Sequence, residues 1–413
     1  MSGAPDNALR MLVLASDRYP PFRVDVAVLF GEELATRGFE IDWILQSEAE
    51  CPREFQTRWG GGSVWVGRTD LGTSRIRRFR KNILAFRHNL KVLKLARELR
   101  YDVIQVKDEV LAALPALWAA RRHGAAFAYW LSFPHPEAST YVARIGEARY
   151  PVLYRLRGWV QFRLLYRFIL PRADHIFVQS EQMKSDLVGY GLPAAKMTSV
   201  PMGVRIEDFR DVADATREKR IRSATIGYLG TLAGERRIDF LVRCLAAVLR
   251  ERPEARLLLV GAGNKPDDEE RIRSEARKLN VLDRVEITGF LPRKEALSLI
   301  SEAAVCVSPF YPTPILNSTS PTKLVEYMAL GRPVVANDHP EQRLVLEQSR
   351  AGYCVPYGES AFAAAIVRLL NHPEEAEAMG KRGRDYAETH RDYRRIADAV
   401  ALEYRKIVRQ ASL

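Results

Sequence analysis

The strongest constraint on this chain is a pattern that runs through it twice: short apolar runs of strand length alternate with longer stretches of helical period. In the first half the strand-like runs are residues 11–15, 39–45, 103–106, 126–131, 175–178 and 197–200; in the second they are 225–229, 256–260, 285–288, 304–307, 333–336 and 352–355. Between the first two, Val26, Leu29, Phe30 and Leu34 share one helical face, Glu32, Glu33 and Arg37 lie opposite, and Gly38 offers a stop. Such alternation predicts βαβ units and mostly parallel sheets. The interval 205–224, RIEDFRDVADATREKRIRSA, holds nothing that could fill a sheet and reads as a linker. After Pro373 the chain is helical and charged, and a last helix over 393–408 is expected to return to the first half. A length of 413 residues exceeds one ordinary core and suits two. The expectation is therefore two doubly wound α/β domains, 1–204 (joined by the helix 393–413) and 225–392.

A composition of 47% hydrophobic and 28% charged residues, without low-complexity tracts or short repeats, excludes a disordered or solenoid chain. Cys51, Cys244, Cys306 and Cys354 stand far apart and no signal peptide precedes Met11, so reduced thiols and a cytoplasmic protein are expected. The longest apolar run, 110–120, is only about half of the roughly 20 residues a spanning helix needs. The net charge of +12 is uneven: residues 1–204 hold 29 Lys and Arg against 20 Asp and Glu, or +9, leaving +3 for the rest. Two stretches concentrate it. One runs from Arg75 through Arg77, Arg78, Arg80 and Lys81 to Arg100; the other, from Arg144 to Arg172, interleaves arginines with Tyr150, Leu153, Trp159, Phe162 and Phe168. That second composition suits a helix at an anionic membrane surface, on the inner face of the cell membrane, better than nucleic acid. The plain alternative is a solvated basic face over a buried stripe.

The most informative segment is 318–335, STSPTKLVEYMALGRPVV. Ser320 is a candidate N-cap, Pro321 suits the first helical position and Gly331 the C-terminal cap, so a short helix over 321–330 is expected. Its first turn leaves the N–H groups of Thr322, Lys323 and Leu324 without intrahelical acceptors, and the helix dipole adds positive potential there. An anion is favoured at such an end. Glu326, three residues after Lys323, can accept hydrogen bonds from a diol beyond the phosphates, and a ribose fits. The competing reading is a surface Lys323–Glu326 pair on a merely well-capped helix. A second element, Gly230-Thr231-Leu232 followed by Arg236 and Arg237, ends the second half's first strand, where open α/β sheets bind ligands. The glycine turns at 260–263 and 289–292, the latter containing Phe290, follow later strands.

With these motifs in order, the chain resembles the retaining glycosyltransferases of family 4, and the resemblance covers nearly all of it. The residues that carry it are 200–204 (VPMGV), 230–232 (GTL) with Arg236, 260–263 (VGAG), 288–292 (TGFLP) and, above all, 321–335. It implies the GT-B fold, two Rossmann-like doubly wound domains facing across a cleft, and a nucleotide-sugar donor. By resemblance Glu326 is the second glutamate of the family's E-x7-E motif and holds the donor ribose, the amides of Thr322 to Leu324 hold the diphosphate, and Arg236 stands where the family places a basic residue. Gly230, Thr231, Arg237, Ser318 and Phe290 complete the expected donor contacts, and Arg236, Lys323 and Glu326 form the expected catalytic set.

The departures are specific. Ser318 stands where the first glutamate of E-x7-E would fall, and Thr231 where an arginine is usual. The family's paired-glycine loop is replaced by residues 20–25, PPFRVD, which makes Arg23 and Asp25 candidates for contact with sugar or acceptor. Its active-site histidine aligns with Ser132 or Phe133, while His135, nearby, reads either as a sugar or acceptor contact or as a surface-loop histidine, and Glu137 is weighed likewise. No D-x-D pair or metal-ligand spacing occurs, so metal-independent transfer is expected, without a cofactor and with fixed positive charge stabilising the departing nucleoside diphosphate. The resemblance further implies retention of configuration and a lipid-linked or saccharide acceptor. Two rival readings are a non-catalytic GT-B scaffold, motivated by Ser318 and Thr231, and a nicotinamide-dependent oxidoreductase, which would need a GxGxxG turn where residues 17–23 stand.

Overall fold

A computed structural model describes residues 8–70, 72, 74–146, 148–215 and 224–411. The chain forms two compact units, the first comprising 1–201 with 393–413 and the second 202–392.

The first unit is built on an eight-stranded sheet. In chain order its strands are β1 (Leu9–Tyr19), β2 (Phe39–Ser47), β3 (Phe55–Trp59), β4 (Gly62–Gly67), β5 (Val103–Lys107), β6 (Ala126–Leu131), β7 (His175–Val178) and β8 (Met197–Ser199). Their spatial order is β3-β4-β2-β1-β5-β6-β7-β8, parallel except for β3 against β4. The period of two in β1 sends Leu12 and Leu14 into one core layer and Met11, Val13 and Ala15 into the other, as a sheet covered on both faces requires. The β3–β4 hairpin is absent from the sequence expectations. Its Gly60-Gly61 turn has positive φ at both residues, a two-residue hairpin geometry that glycine allows without steric cost.

The helix Tyr393–Ala411 belongs to this first unit and closes one of its layers. Tyr393, Ile396, Ala397, Val400, Ala401, Tyr404 and Ile407 recur at helical spacing and are all buried there. Tyr404 packs its ring on Phe39 and Phe177 and bonds Gln105 of β5 through its hydroxyl, while Arg37 grips Asp398 at 2.8 Å.

The second unit carries a six-stranded, wholly parallel sheet. It consists of β9 (Thr225–Leu229), β10 (Arg256–Val260), β11 (Val285–Ile287), β12 (Val305–Ser308), β13 (Val334–Asn337) and β14 (Gly352–Val355), in the order β11-β10-β9-β12-β13-β14. The chain thus winds outward from β9 to β11, then returns to the other side of β9. In this type of fold the crevice at such a reversal, here between β9 and β12, is where ligands bind.

Part of the interval expected as a linker is ordered and packed. Residues Glu207–Ala215 form a helix that lies on the Arg293–Ser301 and Thr322–Ala329 helices, with Ile206 and Phe209 in the second unit's core. Ile206, Phe209 and Val212 sit at spacings of three, so a polar-looking segment still buries one apolar edge. The rest of that interval, 216–223, lies outside the described residues.

If Tyr404 anchors the returning helix, Tyr404→Ala should lower the unfolding free energy by about 3–5 kcal/mol, the usual cost of emptying a buried aromatic site. Urea denaturation followed by fluorescence measures this, and an unchanged midpoint would contradict the assignment.

Candidate functional site

The donor-side residues expected from the sequence all lie in the second unit, with Gly230, Thr231, Arg236 and Arg237 following β9 and Phe290 following the edge strand β11. The helix Thr322–Ala329 faces β9 and is fastened to it by two side chains one turn apart. Tyr327 is fully buried; its hydroxyl accepts from the Leu229 N–H at 2.7 Å and lies 3.5 Å from the Leu229 carbonyl. Lys323 donates from Nζ to the Tyr228 hydroxyl at 3.1 Å, and that hydroxyl lies 3.3 Å from the Thr231 carbonyl. The orientation of the helix is therefore set by β9 itself.

Ser320 does not cap this helix. Its Oγ accepts from the Met202 N–H at 3.0 Å, and Pro321, in extended conformation, precedes the first turn without a side-chain cap. A serine committed to another backbone segment cannot also turn its oxygen onto the helix amides. Thr322, Lys323 and Leu324 thus open the helix with amides that no side chain among the described residues satisfies, while the Leu324 side chain is sealed in the core.

Lys323 is buried, its ammonium 4.6 Å from the Tyr228 ring centre and 5.1 Å from that of Phe310. Among the described residues no carboxylate reaches Nζ within ion-pair distance. Burial first, and then the positive field of Arg236, hold the amine well below the usual lysine range, with Glu326 opposing them. Arg236 ends a short turn, Gly234–Arg236, and is exposed with no ion pair among the described residues. Arg237 follows in the left-handed region, φ 54°, with its guanidinium 5.5 Å from the Tyr311 ring centre.

Glu326 does not pair with Lys323. Its Oε1 accepts from Arg293 Nη1 at 2.9 Å, and no described residue donates to Oε2. Arg293 opens the helix that follows the Gly289-Phe290-Leu291-Pro292 loop and also lies over the Phe209 ring at 5.6 Å. This arginine was not among the sequence candidates; only its place just after the TGFLP loop could have suggested it. Phe290 itself is 85% exposed. Ser318 is buried beyond the short helix Pro314–Asn317, whose Leu316 carbonyl is 2.7 Å from Nε2 of the buried His339.

The glycine turns meet one another. The Gly230 N–H donates to the Val260 carbonyl and Leu232 N–H to that of Ala262, and a Cβ on Gly261 would overlap the Gly230 carbonyl. Gly261 bridges Gly289 in turn, with its N–H 3.3 Å from Thr288 Oγ1. Asp268, in the first turn of the helix Pro266–Lys278, accepts from Gly234, Asn264 and Lys265 amides at 2.9–3.0 Å, which fixes the β9 loop against the β10 loop. The acidic run 267–270 conceals that role in the sequence.

The other three candidates lie in the first unit, Arg23 and Asp25 after β1 and His135 after β6. Asp25 is buried: Arg23 bonds it twice, at 3.1 and 3.0 Å, and Lys107 Nζ lies 3.5 Å away. Lys107 also grips Asp17 at 2.8 Å and approaches Asp108 at 3.8 Å, and Asp108 (φ 58°) accepts from the Ser132 N–H at 2.8 Å and from its hydroxyl. Asp25 is consumed by this network, which keeps a ligand from its carboxylate. Its pKa is lowered, Lys107 and Arg23 overcoming the larger upward push of burial. His135 is not a surface-loop residue: it begins the helix His135–Arg144, half-buried against Phe133, and burial lowers its pKa while Asp108 opposes. Glu137 accepts from the Tyr166 hydroxyl at 3.0 Å beneath that helix. Burial raises Glu109, next to Asp108, to about 7.

Two doubly wound parallel units with convergent loops at a strand reversal define a GT-B protein. Family models described as Glycosyltransferase Family 4 and Glycosyl transferases group 1 match residues 25–208 and 223–372, and the chain belongs to the family 4 glycosyltransferases. It is similar to an alpha-monoglucosyldiacylglycerol synthase of Streptococcus pneumoniae, 25% identical over 306 residues, which are 71% of this chain and 64% of that relative, less than two thirds of its length. Its fold is that of a sucrose-phosphate synthase from Thermosynechococcus elongatus (TM-score 0.72, 21% identity, 96% of this chain and 99% of the other). The same holds for HepE from Anabaena, solved in complex with UDP (TM-score 0.68, 14% identity, 96% and 100%).

Replacing Tyr327 by Phe leaves the part-buried Leu229 N–H without its acceptor, which typically costs about 1–3 kcal/mol. A chemical denaturation curve should show that loss; no change would mean the β9 fastening contributes nothing.

Proposed function

We propose that this protein transfers a glycosyl group from a nucleoside-diphosphate sugar to a lipid-linked or saccharide acceptor. The reading places the diphosphate against the open amides of Thr322, Lys323 and Leu324, with Lys323 Nζ and Arg236 as its fixed cations and Arg237, Gly230 and Thr231 along the adjoining loop. The observation that carries it is the buried Lys323 amine, which has an uncapped helix end and an unpaired arginine near it but no carboxylate within ion-pair reach among the described residues. Positive groups gathered this way are costly without an anion and strongly favour one. HepE, which shares the fold, was solved with UDP, which supports a nucleoside diphosphate as that anion.

Glu326 then receives the ribose hydroxyls on Oε2, held in place by Arg293 on Oε1, and the exposed Phe290 ring offers a surface for the base. As the glycosyl–phosphate bond breaks, charge grows on the phosphate oxygens, and the helix end, Lys323 and Arg236 stabilise it more in the transition state than in the ground state. This arrangement supplies the positive charge for which other transferases use a metal. Retention follows if the departing phosphate takes the acceptor's proton while that hydroxyl attacks from the same side. We assign the acceptor to the first unit, where Arg23 and His135 border the strand ends, and place the reaction at the inner face of the membrane. Ser318, buried where an acid is expected, favours a donor sugar held by hydroxyl hydrogen bonds. It equally motivates the second reading, a nucleotide-binding scaffold without turnover, which assays over a panel of nucleotide sugars and acceptor extracts would separate.

Glu326→Ala should weaken nucleoside-diphosphate binding by about 1–3 kcal/mol, the range for losing a charged hydrogen-bond partner, in isothermal titration. Full affinity in that variant would remove the ribose assignment. The bound diphosphate should also restore the charge of Lys323. Binding then takes up a proton between the lowered free pKa and the higher bound one, so affinity falls as pH rises through that window. Titrations in buffers of different ionisation enthalpy count that proton; Lys323→Met should abolish the uptake, and an unchanged proton count in that variant would refute the role.

A further inference from the structure

One helix of the first unit is amphipathic the wrong way round. In Pro151–Phe162 the side chains of Val152, Leu153, Leu156, Trp159 and Val160 all face solvent; Val152 is 76% exposed, Trp159 56% and Leu156 54%. At about 100° per residue these five fall within one arc of roughly 120°. Arg155 and Arg157 border that arc on either side, both exposed and without ion pairs among the described residues. The face turned inward carries Gly158, where a Cβ would overlap Thr140 Oγ1, so the helix is pressed against His135–Arg144 along its smallest residue. A buried stripe under a solvated basic face, the plain alternative from composition, is therefore the reverse of what this helix presents.

The surroundings have one sign. Residues 148–173 contain six arginines and no acidic residue. Three of those guanidinium groups lie over exposed aromatic rings of the same stretch: Arg149 on Tyr150 at 5.6 Å, Arg163 on Trp159 at 5.5 Å and Arg172 on Phe168 at 4.1 Å. A soluble chain exposes isolated apolar residues freely, but an aligned row of this size marks a surface that is covered.

We infer that the outer face of the Pro151–Phe162 helix docks on an anionic lipid bilayer, with the aliphatic residues and Trp159 entering the headgroup–acyl boundary and Arg155, Arg157 and Arg163 binding lipid phosphates. Charge decides the occupant. A second copy of this chain would bring the same arginines together, and a nucleic acid would leave the aliphatic row in water, whereas a negatively charged bilayer satisfies both components at once. Among the described residues no helix is long and apolar enough to cross a membrane, so contact by this route is at the surface. The inference rests on the proposed function only in giving a lipid-linked acceptor a reason to be met there; the docking itself is read separately.

Vesicle co-sedimentation at low salt tests it, comparing phosphatidylglycerol-rich with pure phosphatidylcholine vesicles for the full chain, Leu153→Ser/Leu156→Ser and Arg155→Glu/Arg157→Glu. The wild-type chain should bind the anionic vesicles, and each double variant should bind about tenfold or more weakly, with melting temperature and nucleoside-diphosphate affinity unchanged. No wild-type binding, or binding that both variants retain, overturns the inference, as does a wild-type dimer in sedimentation velocity that the leucine changes dissolve. Loss of nucleotide affinity with vesicle binding intact would instead count against the donor site.

Discussion

The contact on which the candidate site depends is the fastening of the Thr322–Ala329 helix to the end of β9. Tyr327 and Lys323 lie one turn apart on the helix, and both reach consecutive residues of the same strand, Leu229 and Tyr228. Because β9 lies between β10 and β12, a helix fixed to it has its N-terminus held at the reversal of strand order. The uncapped amides, the buried amine and the two arginines after β9 then share one neighbourhood without any flexible element having to bring them there.

That arrangement has an electrostatic cost. A buried amine near an arginine, with no carboxylate partner among the described residues, disfavours the charged form, which is why the Lys323 pKa is lowered. The neighbouring carboxylate is taken by Arg293 instead, so Glu326 is kept from neutralising Lys323 and its second oxygen stays available. The first unit shows the opposite arrangement at its own strand ends. There Lys107 and Arg23 are surrounded by Asp17, Asp25 and Asp108, and the charges satisfy one another. One end is thus an open positive site, the other a closed mixed network.

Periodicity alone revealed six of the eight strands of the first sheet and all six of the second, because runs such as 126–131 and 256–260 are mostly buried and carry few polar residues. It failed at β3 and β4, where Gln56, Arg58 and Ser63 dilute an edge hairpin, although the Gly60-Gly61 turn was a readable sign. Helix boundaries around 321–330 were legible from Pro321 and Gly331. The partner of each side chain was not: Ser320 looked like a cap but serves Met202, and the Arg293 that holds Glu326, thirty-three residues earlier, had no signal in the sequence beside Glu326. Those choices are made by tertiary neighbours, which local spacing does not encode. The same limit hid Asp268, whose work is to join two loops, and the role of Gly158, which faces the neighbouring helix and leaves Leu153 and Leu156 turned outward.

The central claim is that the helix beginning at Thr322 holds the diphosphate of a nucleotide-sugar donor. Crystals grown with UDP and with GDP in turn test it most directly. The account predicts, for whichever nucleotide binds, phosphate oxygens within hydrogen-bond distance of the Thr322 to Leu324 amides and of Lys323 Nζ, and ribose hydroxyls on Glu326 Oε2. A bound nucleotide whose diphosphate lies away from that helix end would contradict it.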